Sequence, residues 1–373
     1  MTTDRRARRG LRALVVSAAA ALTLAVPPIA VPSLAGAAPA TTNVVRAQRG
    51  AQWLANHIEH AGGMLQNFGK PDPVDTAYAV IGMRAAGVDK PASDAAVTAL
   101  ETHTGTDLQT GGHDSPGAIA EYLMAVIADG RDPRHFGGTA PSNDLVARLL
   151  ATARTAGTDK GLFGAAEPTF DGAFRQGLAL AALKSANVPA SDPRVASAIA
   201  WLTKQQCANG LWEAYRAKPA TPCAAANPKT FTGPDTNSTA WAVEGLADWG
   251  KFPKQATVLA SLRAVQSKDA GFPFVAAKNQ ASDPDSTALV IQALLSERSA
   301  PTSAQWKKGT RTPYTALASS QLDCHSSDFG AFTFPGSAAA NLFATVQSVP
   351  AMAGKKLPVP PSSSSVVLGL TPC

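Results

Sequence analysis

"DPDSTALVIQALL", residues 283–295, is apolar on every side of a helix once its opening residues are passed. A surface helix keeps one polar face, so a segment that is greasy all round must be covered by other segments. The same character returns in "DTAYAVIGMRAAG" from Asp75, "SPGAIAEYLMAVIADG" from Ser115, "DGAFRQGLALAALKSANV" from Asp171, "NSTAWAVEGLADWG" from Asn237 and "SAAANLFATVQSV" from Ser337. Between these runs lie helices of a second kind, with apolar residues at i, i+4 and i+7: Leu54, Ile58 and Ala61; Val195, Ile199 and Leu202; Val258, Leu262 and Val265. Each of these has one wet face. No alternating strand pattern competes with the helical period.

The two kinds alternate, joined by glycine-plus-aromatic turns such as "GGMLQNF", "KGLFGAAEPTF", "NGLWEAY", "AGFPFVA" and "FGAFTFP". The apolar helices begin roughly 40 to 65 residues apart, so the unit is a helical hairpin that cannot bury its apolar member alone. Six hairpins closed into a ring solve that. The expectation is an all-α (α/α)6 toroid over residues 44–352, with an apolar inner ring and an amphipathic outer ring. An open solenoid would need capping repeats, and the sequence offers none.

The ends read differently from the body. "MTTDRRARRGLR" followed by "ALVVSAAAALTLAVPPIAV" has the basic and apolar regions of a secretory leader, so residues 1–37 are expected to be removed, with Ala40 as the alternative cut. Pro27 and Pro28 interrupt the apolar part, which rules out a membrane span there. The arginine pairs admit a twin-arginine route, but their flanks match that signal poorly and favour general secretion. Removing 1–37 takes away five Arg and one Asp and lowers the formal charge from +6 to +2. No basic stripe remains for nucleic acid. Four cysteines remain, Cys207, Cys223, Cys324 and Cys373, and in an exported chain an even count reads as disulfides with three connectivities. The favoured pairs are Cys207–Cys223, closing a short insertion, and Cys324–Cys373, pinning an extended tail over 353–373.

"AIAWLTKQQCANGLWEAY", with Gln206, Gly210 and Trp212, resembles the QW motif of the terpenoid cyclase and protein prenyltransferase superfamily. "LASLRAVQSKDAGFPF", with Gln266 and Gly271, and "ALASSQLDCHSSDFGAF", with Gln321 and Gly330, are weaker copies. The resemblance covers the chain after the leader and implies the toroid. It also extends to cobalamin carriers and other binding toroids, so it does not choose a function.

Class II cyclases of this superfamily use an Asp-X-Asp-Asp motif before Thr-Ala, whose middle aspartate protonates an alkene. Asp283-Pro-Asp285-Ser286-Thr287-Ala288 is similar, with Ser286 in place of the last Asp. The resemblance therefore implies Asp285 as acid, with Asp283 beside it. Such an acid must be buried to stay protonated, and its cation needs aromatic faces. Tyr78, Tyr122, Phe174, Trp241 and Phe343 fall on the apolar helices. The plainer reading of Asp285 is a helix cap, because Asp75, Asp114, Asp171 and Asp235 stand at or near the same place in other hairpins. Converging helix starts would still make these carboxylates a binding rim. Prenyltransferases hold zinc through Asp, Cys and His, but Asp323, Cys324 and His325 are adjacent and cannot easily face one tetrahedral ion. The sequence therefore predicts no metal and no cofactor.

The expected function is binding of a small hydrophobic or amphipathic molecule, isoprenoid or cobalamin-like, or of a glycan or peptide end, in a central cavity outside the cytoplasm. The alternatives are a class II cyclase-like enzyme using Asp285 and a structural envelope protein.

Overall fold

The computed structural model describes residues 43–164, 172–371 and 373. The expected leader and Asp171 lie outside the described residues. These residues form twelve α-helices: α1 (Asn43–His60), α2 (Pro73–Ala86), α3 (Lys90–Leu100), α4 (Pro116–Ala128), α5 (Leu145–Ala151), α6 (Ala173–Ser185), α7 (Pro193–Lys204), α8 (Thr236–Ala247), α9 (Gln255–Val265), α10 (Pro284–Ser296), α11 (Pro313–Ala318) and α12 (Leu342–Met352). Two minimal antiparallel hairpins, β1 (Gln66–Asn67) with β2 (Lys70–Pro71) and β3 (Gln109–Thr110) with β4 (His113–Asp114), ornament the turns before α2 and α4. No helix among the described residues is long and apolar enough to cross a membrane.

The even-numbered helices pack each on the next, and α12 packs on α2, so the ring is closed. The odd-numbered helices lie outside. This is the (α/α)6 toroid that the alternation predicts, with the two kinds of helix in the expected layers. In α2 every residue from Thr76 to Ala86 is buried, and in α10 every residue from Pro284 to Leu294. Outer helix α9 buries only Val258, Leu262 and Val265, one stripe at the helical period. Because an outer helix runs back between each inner pair, all inner helices point the same way and share an N-terminal end.

The repeated turn chemistry has a structural cause. Four residues after the cap of an inner helix, a threonine hydroxyl accepts an N–H from the preceding turn: Leu65 to Thr76 (2.9 Å), Trp212 to Thr239 (3.0 Å), Phe272 to Thr287 (2.9 Å) and Phe332 to Thr345 (2.9 Å). In α6 the Gln176 side chain replaces it, accepting from Phe163 N at 2.8 Å. A second set of ties joins hairpin to hairpin. The Gln206 amide donates to Gly210 O and onward to Pro253 O, and that of Gln266 to Ala270 O and Trp306 O. That of Gln321 donates to Gly330 O and, across the seam, to Arg46 O of the first helix at 2.8 Å. Trp212, Phe272 and Phe332 are fully buried in these turns, where they pack.

Two glycines set the tightest contact of the ring. A Cβ on Gly177 would lie 2.0 Å from Trp241 O, and one on Gly245 2.6 Å from Gly177 O, so α6 and α8 meet backbone to backbone.

Both expected disulfides are present, Cys207–Cys223 and Cys324–Cys373. The second occupies the cysteine considered for zinc. Beyond Met352 the chain crosses the C-terminal ends of the inner helices as a strap. Leu357 N donates to Glu244 Oε2 (3.2 Å), Lys356 pairs with Asp248, and the Arg84 guanidinium donates to Ser362 O (3.1 Å) and Ser364 O (3.3 Å). Val366 exchanges backbone bonds with Gly87 and Asp89, and Leu368 N donates to Gln52 Oε1. Leu357 and Val359 are buried, which seals this end of the barrel.

Candidate ligand site at the inner-helix N-termini

At the opposite end a cleft of about 220 Å³ opens between α2, α4 and α6, lined by Val74, Gly117, Ala118, Glu121, Phe174, Arg175 and Leu178 among others. Counted from the caps Asp72, Ser115 and Gly172, these are the second, third and sixth residues of each helix, which share one face at the helical period. The same offsets from caps Asp235, Asp283 and Asn341 pick out Asn237, Ser238 and Trp241; Asp285, Ser286 and Leu289; Phe343, Ala344 and Gln347. The inward face at this end is thus carboxyl-rich and aromatic. A larger depression of about 610 Å³, beside Gln255 and Glu297 on the outer surface, carries no comparable cluster.

Position within the first turn separates the aspartates. Asp283 is the cap of α10, accepting from Ser286 N at 2.8 Å, and Asp235 caps α8 through Ser238 N at 2.6 Å. Asp285, two residues further in, is released from capping: it is 5% exposed, and its Oδ1 has no hydrogen-bond partner. Asp75 likewise is not the cap of α2; Asp72 accepts from its N–H at 3.0 Å. Burial, then the neighbouring carboxyls Asp283 and Asp75, raises the Asp285 pKa well above the usual range. Burial and Asp72 lift Asp75 to about 8. Burial and Asp75 raise Glu121, against the pull of the Arg175 guanidinium. Asp75 and Glu121 nevertheless keep partial solvent contact, and Glu121 lines the cleft.

Beneath this cup the Tyr78 hydroxyl and the Trp241 indole N–H are buried and unpartnered, and Phe174 meets Trp241 edge-on at 5.6 Å. Tyr78 feels Glu244, Glu121, Asp285 and Asp75, contributed by four inner helices. Deeper still the axis is closed. Gln292, Gln347 and Glu244 are buried there with unpartnered oxygens, so the expected apolar central cavity is replaced by a packed, polar axis. At the α6–α8 junction the small residues Gly177 and Gly245 let the backbones approach directly.

The structure brings together Asp75, Tyr78, Phe174, Trp241, Phe343 and Asp285 on the inward face, with Asp283 and Asp235 at its rim as caps. It does not bring Asp114 or Tyr122 there. Asp114 holds outer-helix Arg148 by two bonds (2.8 and 3.0 Å), and Tyr122 turns outward to donate to His103 O and pack on Phe136. Sequence reasoning passed over Glu121 and Arg175. Their signal was a charge at the sixth and third residue of a mostly apolar helix, the offsets Tyr78 and Asp75 occupy.

Fold and cup together define an α/α-toroid with one sealed end and one mouth. Solved structures of this architecture include a variant of the type II terpene cyclase MstE from Scytonema in complex with geranylgeranyl dihydroxybenzoate, 14% identical over 83% of this chain and 97% of that chain, TM-score 0.50. Unsaturated glucuronyl hydrolase from Bacillus sp. GL1 is also 14% identical, over 83% of this chain and 96% of that chain, TM-score 0.57. No family model matches the chain, and no curated protein matches it. At this identity the likeness establishes the fold.

Proposed function

We propose that this chain is an exported binding toroid whose mouth takes the polar, hydrogen-bonding end of a small amphipathic molecule. One observation carries the reading: on the inward face of the inner helices Asp285 Oδ1, Tyr78 Oη and Trp241 Nε1 are each buried and without a hydrogen-bond partner. Each such atom costs on the order of 1–3 kcal/mol if left unpaired, so a ligand that supplies donors and acceptors there recovers a sizeable binding free energy. Glu121 and Arg175 line the cleft, with the Asp75 carboxyl acting on Glu121. The two disulfides support an oxidising compartment, and the charged and apolar segments of residues 1–37 support export.

A second reading is favoured by Asp285 in particular. Its freedom from capping and its burial suit a carboxylic acid that stays protonated until it delivers a proton, as in cyclisation of an isoprenoid. The absence of a third acid at Ser286 weighs against it. Extraction of the purified oxidised protein with organic solvent, followed by mass spectrometry, tests for a resident ligand; incubation with linear polyprenes tests for chemistry. Binding predicts a retained molecule and a clear loss of retention in Glu121→Gln. Product that disappears in Asp285→Asn supports the acid. Neither ligand nor product would leave a scaffold.

A further inference from the structure

Four phenylalanines are exposed: Phe68 at 76%, Phe231 at 48%, Phe274 at 37% and Phe334 at 37%. They are the exposed aromatic side chains among the described residues. Each stands in a different outer-to-inner turn, before α2, α8, α10 and α12, so the four form an arc along the mouth from α8 round to α2. Phe68 gives the core least, while Phe274 and Phe334 are partly packed and expose an edge. Phe231 and Phe274 touch each other across adjacent turns, with ring centroids 6.3 Å apart.

Two of the four are also held in a conformation their side chains disfavour. Phe68 occupies the first place of the two-residue Phe68-Gly69 turn joining β1 to β2, with φ of 50°, and Phe231 has φ of 54°. Both residues of such a tight hairpin turn need positive φ, which is why Asn-Gly is the usual choice. A bulky residue there adds strain as well as exposed apolar area. Folding rewards neither, so Phe68 and Phe231 are explained by something outside the chain. Exposed lysines flank them: Lys70 two residues from Phe68, Lys229 two from Phe231 and Lys278 four from Phe274.

We infer that the mouth face docks on a lipid surface with anionic headgroups, the four phenyl rings entering the acyl boundary and Lys70, Lys229 and Lys278 meeting the headgroups. The chemistry chooses this occupant. Aromatic and basic residues together on one face are the composition of interfacial binding. Four separate tips around a rim also offer no groove for an extended chain, but they meet a flat, deformable surface together. The inference does not rest on what the cup binds.

Co-sedimentation of the purified oxidised protein with vesicles of phosphatidylglycerol and phosphatidylethanolamine, against vesicles of phosphatidylcholine, is the test. The wild type is expected to prefer the anionic vesicles, and substituting all four phenylalanines with serine to lower partitioning by roughly tenfold or more. Thermal unfolding of that variant establishes that it is folded. Independently, the indole introduced by Phe68→Trp is expected to shift to shorter emission wavelength on vesicles and to be quenched by brominated acyl chains. Absence of wild-type binding, equal binding by the serine variant, an unshifted indole, or retention on insoluble polysaccharide instead would each overturn the inference. Glu121→Gln separates it from the ligand reading, since it is expected to leave vesicle binding unchanged.

Discussion

Asp283 and Asp285 differ by two positions and have opposite physics. The first accepts the Ser286 N–H and stabilises the start of α10, and the second is buried with an unpartnered oxygen. Asp283→Ala is therefore expected to cost about 1 kcal/mol in a denaturant titration, the usual loss of a cap, whereas Asp285→Ala at neutral pH should leave stability unchanged or raise it. Asp75 makes a pH prediction. Its carboxyl holds a proton in the folded chain up to about pH 8 but releases it near the ordinary value of 3.8 when unfolded. The folded state binds more protons across that window, so this contribution is full below pH 4 and is lost as pH rises toward 8. Asp75→Asn should flatten the fall of Tm between pH 5 and 8. The capping of these helices was legible in the sequence, because Asp before Pro at an apolar run has few other uses. Which aspartate caps was not, since Asp72 and Asp75, like Asp283 and Asp285, lie within one turn and only the backbone geometry separates them.

Helices pack here by two devices, hydrogen-bonded ties and bare backbone contact. Outer and inner layers were legible because amphipathic and all-apolar periods differ, and the Gln positions were visible as a repeat. The ring's internal width was not, because an all-apolar helix announces that it is covered and says nothing about how closely. The answer lies in Gly177 and Gly245, whose close backbone contact appears only in the folded ring. Gly177→Ala would push a methyl into the Trp241 carbonyl, where no flexible side chain can yield. A loss of about 3 kcal/mol or more is expected by chemical denaturation, beyond the roughly 1 kcal/mol by which alanine otherwise favours a helix.

The whole molecule has two unlike ends, a strapped one and an open one. Cysteine count exposed the fastening, but not its route, since the contacts of Arg84, Glu244 and Gln52 with the tail join residues far apart in sequence. Cys324–Cys373 spans 49 residues, for which the chain-entropy model gives about 4 kcal/mol. Cys373→Ser is expected to lower Tm and to speed amide exchange at the C-terminal ends of α2, α8 and α10, with exchange at their first turns unchanged. The seam held by Gln321 and Arg46 carries a consequence in time rather than in energy. The earliest and latest helices to emerge during synthesis are neighbours, so five junctions can assemble locally while the sixth waits for nearly the entire polypeptide. Until then the arc has two sticky flanks, and the slow step of maturation is the meeting of its own extremities.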